Sequence, residues 1–401
     1  MGKEWLTSKE AARRLGVSSA TLYAYVSRGL LRSESTNGQR ERRYSADDVA
    51  LLKRRRDVGR KAESIAANAL DFGTPVLESA LTLIEHGRLY YRGWEAAPLA
   101  RSSSLETVAQ LLWQCDERPF DARNLPSMST ALRQAWQAAA GLAPVDRCLL
   151  LLPAAARWDH PSWVEDRGAM LETGVRILRL LAAAVTGEPL SARPVHEQLA
   201  SAWGVAAEHA PLIRAALVLS ADHEFNASTF AARVVASTGA NLHGSTIAGL
   251  AALNGPRHGG LTRRVAALLD ELKRTADPDA AMAQRLADGH DLPGFGHPLY
   301  PDGDIRAATL LALLRDSAAH APELAFAERI AATGERLTGR RPNVDFATVT
   351  IERVLGLPSD AALSMFLLGR TVGWIAHAIE QAAHGGLIRP RARYTGPRPT
   401  A

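Results

Sequence analysis

Three loop segments of the chain carry side chains that could move protons. His258 lies in Asn-Gly-Pro-Arg-His-Gly-Gly, His297 in Pro-Gly-Phe-Gly-His-Pro, and Asp345 in Arg-Pro-Asn-Val-Asp-Phe. Glycine lets the backbone approach a ligand closely, and rigid scaffolds often present functional groups on such loops. Each residue alone is more easily explained as part of a turn. As a set, the three are candidates for acid–base chemistry.

The elements that must position these loops are helices. From about residue 61 onward the chain is rich in Ala and Leu, with helical periodicity and almost no alternating strand pattern. Ser103 and Glu106 have the spacing of a capping box, and residues 228–253 and 359–384 are predicted to form long apolar helices. The second of these is apolar nearly all round, as a buried helix must be. The pattern predicts an all-α body.

Composition excludes several classes of protein. Hydrophobic residues make up 47% of the 401-residue chain and charged residues 22%, as in ordinary globular proteins. The two cysteines, Cys115 and Cys148, are too few for a disulfide framework or a cysteine metal site. No apolar run approaches the roughly eighteen residues that span a bilayer, and the N-terminus shows no signal-peptide stretch. We therefore expect a cytoplasmic protein without a metal site or a membrane partner.

Basic charge is concentrated in the first sixty residues. They hold 14 Lys and Arg against 7 Asp and Glu, a net charge of +7, whereas the whole chain carries +5. The remainder of the chain therefore carries −2, the difference of the two. A basic excess confined to one segment is typical of a nucleic-acid or anionic-surface binder, although a solvated charged face would give the same count.

This basic segment has the signals of short helices joined by a tight turn. Thr7 and Glu10 have the spacing of a capping box, and Gly16 can end the first helix. A second helix is predicted over residues 20–27 and a third from Ser45. Two short helices joined by a Gly-Val turn are typical of a helix-turn-helix.

Residues 6–45 contain Leu-Thr-x-x-Glu-Ala-Ala, Gly-Val-Ser, Leu-Tyr-x-Tyr-Val-x-x-Gly-Leu-Leu and Arg-Arg-Tyr-Ser. This pattern resembles the MerR and excisionase type of winged helix-turn-helix. The resemblance implies that the second helix enters the major groove of duplex DNA and that arginines of the turn reach phosphates. A packing or dimerisation role is the alternative. The implied groove residues are Ser19, Thr21, Tyr23 and Arg28, and the implied phosphate contacts are Arg40, Arg42 and Arg43.

From about Asp71 to its end, the chain resembles the citrate synthases. The resemblance is carried by Leu-Tyr-Tyr-Arg-Gly from residue 89, Asp-His-Glu-Phe-Asn-Ala-Ser-Thr from residue 222, the three loops described above, Gly-Arg-Thr-Val-Gly-Trp-Ile-Ala-His from residue 369 and Ile-Arg-Pro-Arg from residue 388. The segments follow the family's order with family-like separations, whereas residues 125–195 match only loosely. The implied fold is all-α, with a large and a small helical domain preceded by a winged helix-turn-helix.

The resemblance implies that the chain condenses an acyl-CoA with oxaloacetate. Asp345 would take the α-proton of the thioester, His258 would stabilise the enol, and His297 would polarise the oxaloacetate carbonyl. Planar guanidinium groups suit a dicarboxylate. The implied oxaloacetate ligands are His223, Arg306, Arg370 and, from a neighbouring subunit, Arg389. The implied coenzyme A contacts are Pro293, Gly294, Phe295, Gly296, Arg340 and Arg341.

The same resemblance implies three domains and a homodimer without a cofactor beyond the thioester substrate. The helix-turn-helix would cover residues 1–60, the large domain 61–260 and 356–401, and the small domain 261–355. Pro298, Ile305 and the run Leu-Thr-Arg from residue 261 depart from the family pattern. These departures leave the acyl group open between acetyl-CoA, giving citrate, and propionyl-CoA, giving 2-methylcitrate. A DNA-binding regulator that senses a metabolite through a citrate synthase body is the alternative from another class.

Overall fold

The computed structural model describes residues 5–27, 31–35, 42–50, 52–53, 77–156, 166–392 and 394–397. The chain divides into two compact units, Met1–Glu78 and Ser79–Ala401. The boundary predicted at residue 60 lies outside the described residues. Each unit is considered by itself below.

The N-terminal unit combines two short helices with a three-stranded antiparallel sheet. In this sheet the strand Arg42–Ser45 lies between the strands Trp5–Thr7 and Ser33–Ser35. Thr7 and Glu10 form the predicted capping box, with the Thr7 N–H donating to the Glu10 carboxylate at 2.9 Å. Gly16 ends the first helix with a φ of 62°, a conformation that favours glycine. Residues 46–50 are also helical. The labelled elements are β1 (Trp5–Thr7), α1 (Ser8–Leu15), α2 (Ser19–Ser27), β2 (Ser33–Ser35) and β3 (Arg42–Ser45).

The second unit, here called the body, is mostly helical. It opens with one small antiparallel sheet, β4 (Thr82–Glu85), β5 (Arg88–Tyr91) and β6 (Trp94–Glu95), which the sequence pattern did not predict because such short strands alternate too briefly. Its α-helices are α3 (Ala96–Ser102), α4 (Leu105–Trp113), α5 (Thr130–Ala138), α6 (Pro144–Ala156), α7 (Arg167–Thr186), α8 (Val195–Ala202), α9 (Ala210–Leu219), α10 (Ala227–Ser237), α11 (Leu242–Leu253), α12 (Leu261–Arg274), α13 (Pro278–Ala287), α14 (Ile305–Ala318), α15 (Pro322–Thr338), α16 (Val344–Val354) and α17 (Ala361–His384).

The segment 228–253, predicted as one helix, forms the two helices α10 and α11. Gly239 lies between them with a φ of 81°. Asn241 then caps α11, because its side-chain oxygen accepts the Gly244 N–H at 2.8 Å. The glycine and the capping residue account for the break.

Helix α17 forms the centre of the body. It packs against α4, α7, α9, α10 and α11. Gly369 and Gly373 permit this closeness, since a Cβ atom there would lie 2.4 Å from the Leu217 carbonyl and 2.3 Å from the Ala221 carbonyl. Contrary to the expectation that no apolar run is long enough, α17 has the length and composition to cross a membrane. The 18-residue window that meets this test is wholly buried inside the body, as in a core helix.

A second cluster of buried side chains lies within the range predicted for the small domain. It is formed mainly by α12, α15 and α16 and includes Val265, Leu269, Phe295, Ile330 and Phe346. The main cluster is built from the other helices except α13, together with residues of β5. Helix α16 contributes to both, since Val344 and Ile351 belong to the main cluster. The helix that carries Asp345 therefore joins the two cores.

Candidate active site

Asn343 ties the loop of His297 to the helix of Asp345. The Asn343 N–H donates to the Gly294 carbonyl at 2.8 Å, and its side-chain amide donates to the Gly296 carbonyl at 3.1 Å. The φ angles of Gly294 and Gly296 are 93° and 77°, which favour glycine. The Asn343 side-chain oxygen also accepts the Asp345 N–H at 3.1 Å and so caps α16. Two of the predicted catalytic loops are thus one hydrogen-bonded unit.

Asp345 is a buried carboxyl group with a raised pKa. Its side chain is 8% exposed, and Oδ1 has no hydrogen-bond partner among the described residues. Burial raises the pKa of Asp345 to about 7; the charge of Arg306 opposes this shift and that of Asp304 adds to it. A carboxyl with this pKa can accept a proton at neutral pH.

His297 and His223 lie together, with ring centroids 5.0 Å apart. The Leu299 N–H donates to Nδ1 of His297 at 3.2 Å, so in the neutral ring the proton lies on Nε2. Burial, reinforced by Arg306, lowers the pKa of His297 to about 4. His223 is buried, its Nε2 lies 3.0 Å from the Tyr300 hydroxyl, and burial holds its pKa well below the ordinary value. Both imidazoles are therefore neutral near pH 7.

His258 is held by a serine on another helix. Its Nε2 lies 2.7 Å from Oγ of Ser228 in α10, and Trp374 donates its indole N–H to the same oxygen at 3.1 Å. The ring meets Phe366 edge-on, with centroids 5.7 Å apart. Burial, followed by the charge of Arg370, lowers the pKa of His258 to about 3. His258 is also a neutral imidazole at physiological pH.

Two buried guanidinium groups supply positive charge. Arg306 forms a bidentate pair with Asp304, Nε to Oδ1 at 2.9 Å and Nη2 to Oδ2 at 2.8 Å. Arg370 donates Nε–H to the Ser220 carbonyl at 2.8 Å, lies over the Phe366 ring at 4.9 Å, and its buried Nη2 has no partner among the described residues. Burial lowers the pKa of Arg370 to about 10. A buried cation with a free donor suits an anionic ligand.

Four residues of the site were missed by the sequence analysis. Ser228 holds His258, Tyr300 contacts His223 and Arg306, Phe366 lies against His258 and Arg370, and Asp304 pairs with Arg306. Ser228 lies inside a quoted family segment and could have been found there. For the aromatic residues, no spacing in the sequence gives the partner that each ring meets in the fold.

Of the remaining predicted ligands, the arginines lie at the surface of the body, whereas residues of the loop 293–296 are mostly buried. Arg389 is exposed beyond α17, and among the described residues no hydrogen bond joins it to the site of its own chain. Arg340 and Arg341 are exposed, but Arg341 pairs with Glu335 at 3.0 Å. Pro293 and Phe295 are buried. Within the described ranges, no group of three His, Cys, Asp or Glu residues is placed to hold a metal ion.

The predicted DNA contacts are partly described in the N-terminal unit. Tyr23 of α2 is 51% exposed, and Arg42 and Arg43 are exposed on β3. The Thr21 hydroxyl lies 2.9 Å from that of Ser18 at the start of α2. Ser19 begins α2, but its side chain lies outside the description, as do Arg28 and Arg40 entirely.

Comparison with known proteins finds a matching family for each of the two units. A family model of the citrate synthase C-terminal domain matches residues 70–391, and a helix-turn-helix domain model matches residues 5–57. A relative from Mycobacterium tuberculosis H37Rv is 41% identical over 197 residues, covering 48% of this chain and 52% of that one, so the chain spans about half the length of such relatives. Citrate synthase of Haloferax volcanii is 31% identical, covering 81% of this chain and 94% of that one. 2-Methylcitrate synthase 1 of Corynebacterium glutamicum is 30% identical, covering 78% of this chain and 90% of that one.

Solved structures show the same architecture. Citrate synthase of Thermotoga maritima superposes with a TM-score of 0.69 at 27% identity, covering 82% of this chain and 96% of that one. That of Thermoplasma acidophilum, a ternary complex with carboxymethyl coenzyme A and oxaloacetate, has a TM-score of 0.69 at 25% identity with the same coverage. The helical body has the citrate synthase fold. The chain belongs to the citrate synthase family.

Proposed function

We propose that the chain condenses acetyl-CoA with oxaloacetate and water to give citrate and coenzyme A. The observation that carries this proposal is the buried Asp345, whose pKa of about 7 suits a base at neutral pH. It lies in one hydrogen-bonded unit with the loop of a neutral histidine, His297. The family membership and the Haloferax volcanii relative support the same reaction.

In the first step, Asp345 removes a proton from the α-carbon of the thioester. The enol oxygen then needs a neutral donor, and His258 supplies one if its Nδ1 carries the proton. Oγ of Ser228 accepts the Trp374 N–H, and its single hydrogen has two acceptors within reach, Oδ1 of Asn226 at 2.8 Å and Nε2 of His258 at 2.7 Å. When that hydrogen is donated to Nε2 of His258, Nδ1 must hold the ring proton. The step requires this second arrangement, in which the Ser228 hydroxyl turns from Asn226 to His258.

In the second step, the enol carbon attacks the carbonyl carbon of oxaloacetate. His297 donates Nε2–H to the carbonyl oxygen, consistent with the Leu299 N–H that occupies Nδ1. Arg306 and Arg370 hold the carboxylates, together with His223. Water then cleaves the citryl thioester and releases coenzyme A. The residues themselves supply every proton transfer, so the proposal includes no metal or prosthetic cofactor.

Arg389 completes the site from a second copy of the chain in our proposal. It is exposed in its own protomer, on the segment that follows α17. The Ile388 N–H donates to Ser237 at 3.0 Å and fixes where that segment leaves the body. We therefore propose a cytoplasmic homodimer with shared sites.

Coenzyme A contacts are proposed on the loop 293–296 and on Arg340 and Arg341. Gly294 and Gly296 have positive φ angles, and a Cβ atom on Gly296 would lie 2.9 Å from Cδ of Arg340, so the loop and Arg340 lie close together. Propionyl-CoA is the second candidate substrate, because the Corynebacterium glutamicum relative is named a 2-methylcitrate synthase. One extra methylene is worth about 1–3 kcal/mol of discrimination, so a direct comparison of the two thioesters is needed.

The N-terminal unit is proposed to bind duplex DNA through α2 and β3. The match to a helix-turn-helix model and the exposed Tyr23, Arg42 and Arg43 support this role. An inactive body joined to this unit would be a metabolite-sensing regulator, the rival function. Catalytic activity in the purified chain separates the two.

The test is release of free thiol from acetyl-CoA and propionyl-CoA, with and without oxaloacetate. We expect release that depends on oxaloacetate and falls at least a hundredfold in Asp345→Asn, within the range of about 10²–10⁴ for a positioned base. Asp302→Asn, at an exposed position outside the site, is the matched control. Oxaloacetate binding without thiol release by the parent chain would favour the sensor function. Activity of Asp345→Asn within tenfold of the parent would contradict the role of Asp345.

A further inference from the structure

The two neighbours of His223 both face strand β4. Thr82 donates its hydroxyl to Oδ2 of Asp222 at 2.5 Å. The backbone N–H of Ile84 faces the carboxylate of Glu224, where it opposes the larger effect of burial, which raises the pKa of that group. Strand β4 pairs with β5 along one edge only, so alternate N–H groups face away from its sheet. Ile84 uses such a group. The 222–224 peptide, which carries the proposed oxaloacetate ligand His223, is therefore held by β4 on both sides of that residue.

The backbone conformation at Glu224 requires contacts that hold it in place. Its φ is 50°, a left-handed conformation that is unfavourable for a residue with a Cβ atom. Such conformations persist where surrounding contacts hold them. The Thr82–Asp222 hydrogen bond on one side of His223 and the approach of the Ile84 N–H to the Glu224 side chain on the other are such contacts, and His223 lies with Nε2 3.0 Å from the Tyr300 hydroxyl.

Asp222 is fixed from the opposite side by α17. The residue is fully buried, and Nε2 of His377 lies 3.3 Å from the same oxygen that Thr82 contacts. Nδ1 of His377 lies 3.3 Å from a guanidinium nitrogen of Arg233, which can only donate, so the neutral His377 ring carries its proton on Nε2. A Cβ atom on Gly373 would lie 2.6 Å from Oδ1 of Asp222. Asp222 has little room to move once Thr82 holds it.

We propose that Thr82 and Glu224 are positioning residues that fix His223 for oxaloacetate through the clamp between β4 and the 222–224 peptide. Neither touches the reacting atoms. The clamp rests on the proposed function, because it assigns His223 to oxaloacetate rather than to the thioester. Losing either bond loosens His223, so the affinity for oxaloacetate falls while proton removal by Asp345 continues.

Thr82→Val removes the hydroxyl at nearly constant volume, and Thr82→Ser retains it. We expect Thr82→Val to raise the KM for oxaloacetate and its Kd, measured by calorimetry without thioester, about tenfold. The kcat and the KM for acyl-CoA should change less than twofold, and Thr82→Ser should restore the parent values. Thr333→Val is the matched control, since Thr333 donates to Asp279 at 2.7 Å in another part of the body.

Glu224→Met and Glu224→Gln keep the test decisive if Thr82→Val fails to fold. Glu224 is only partly buried, so its replacement costs less stability. Methionine has no side-chain oxygen that could accept the Ile84 N–H, whereas the amide oxygen of glutamine can accept it. The Met variant should lose oxaloacetate affinity and the Gln variant should keep it. A parent without thiol release would contradict the proposed function instead; an active parent with unchanged oxaloacetate affinity in Thr82→Val and Glu224→Met would overturn the clamp.

Discussion

Oγ of Ser228 lies 2.7 Å from Nε2 of His258 and also receives the Trp374 indole N–H. The one hydroxyl hydrogen of Ser228 can go to Oδ1 of Asn226, 2.8 Å away, or to Nε2 of His258, and in the second arrangement Ser228 holds the proton of His258 on Nδ1. Ser228→Ala should lower kcat about tenfold, equivalent to about 1.4 kcal/mol of barrier, with little change in the KM for oxaloacetate. Ser245→Ala removes a buried hydroxyl with no partner among the described residues and should leave kcat unchanged. Equal kcat values for the two variants would argue against the tautomer role.

Asp345 should make the folded chain less stable as the pH rises. Its folded pKa is about 7, above the ordinary unfolded value of about 4, so between these values the folded state binds more protons than the unfolded state. The free energy of unfolding therefore falls from pH 4 to pH 7. Asp345→Asn does not ionise, and its melting temperature relative to the parent should rise between pH 5 and pH 8. A difference that is independent of pH would contradict the raised pKa.

Arg389 and Asp345 should serve shared sites in the dimer. Arg389→Ala and Asp345→Asn chains are each expected to be inactive. Unfolded and refolded together, they should recover activity, because one of the two sites in a heterodimer then contains both native residues. Mass spectrometry of the intact complex measures the heterodimer. Proven heterodimers without activity would place Arg389 in its own subunit's site or outside any site.

Arg340 should matter more than Arg341 for coenzyme A. Arg341 is already paired with Glu335 and bonded to the Asp302 carbonyl, whereas the Arg340 side chain lies against Gly296 of the proposed loop. Arg340→Ala should raise the KM for acetyl-CoA several-fold more than Arg341→Ala, and neither should alter the KM for oxaloacetate. Steady-state kinetics with each substrate varied decides the order. An equal effect of both variants would contradict it.

DNA binding by the N-terminal unit should depend steeply on salt. Arginine contacts to phosphates release counterions, so removing Arg42 or Arg43 should lower the slope of log K against log salt by about 1. Arg32 already pairs with Asp48 at 2.7 Å, so Arg32→Ala is a suitable comparison with a smaller effect. The salt slope of each variant is measured by fluorescence anisotropy at two salt concentrations, with duplex DNA from upstream of the protein's own gene. Salt-insensitive or undetectable binding would favour a packing role for the unit.

The loops of His258 and His297 and the buried helix α17 could be predicted from the sequence because glycine, proline and apolar periodicity are local signals. The prediction that Asp345 lies in a loop was wrong, since Asn343 caps α16 and places Asp345 in its first turn. The resemblance implied the roles that are proposed for His258, His297 and Asp345. The strained φ of Glu224 and the partners of Tyr300 and Phe366 could not be predicted, since they arise from contacts between segments far apart in the chain. The β4–β6 sheet was missed because strands of two to four residues give too short an alternation.

Strand β4 also determines where the chain can be shortened. The body begins at Ser79, and the Ala80 N–H donates to Glu380 at 2.8 Å two residues before Thr82 reaches Asp222. A truncated chain that starts after Thr82 would lose both anchors while keeping every histidine and arginine of the site. In chain order the proposed oxaloacetate site therefore depends on residues from 80 onward, more than a hundred residues before His223, the first side chain proposed to touch the substrate.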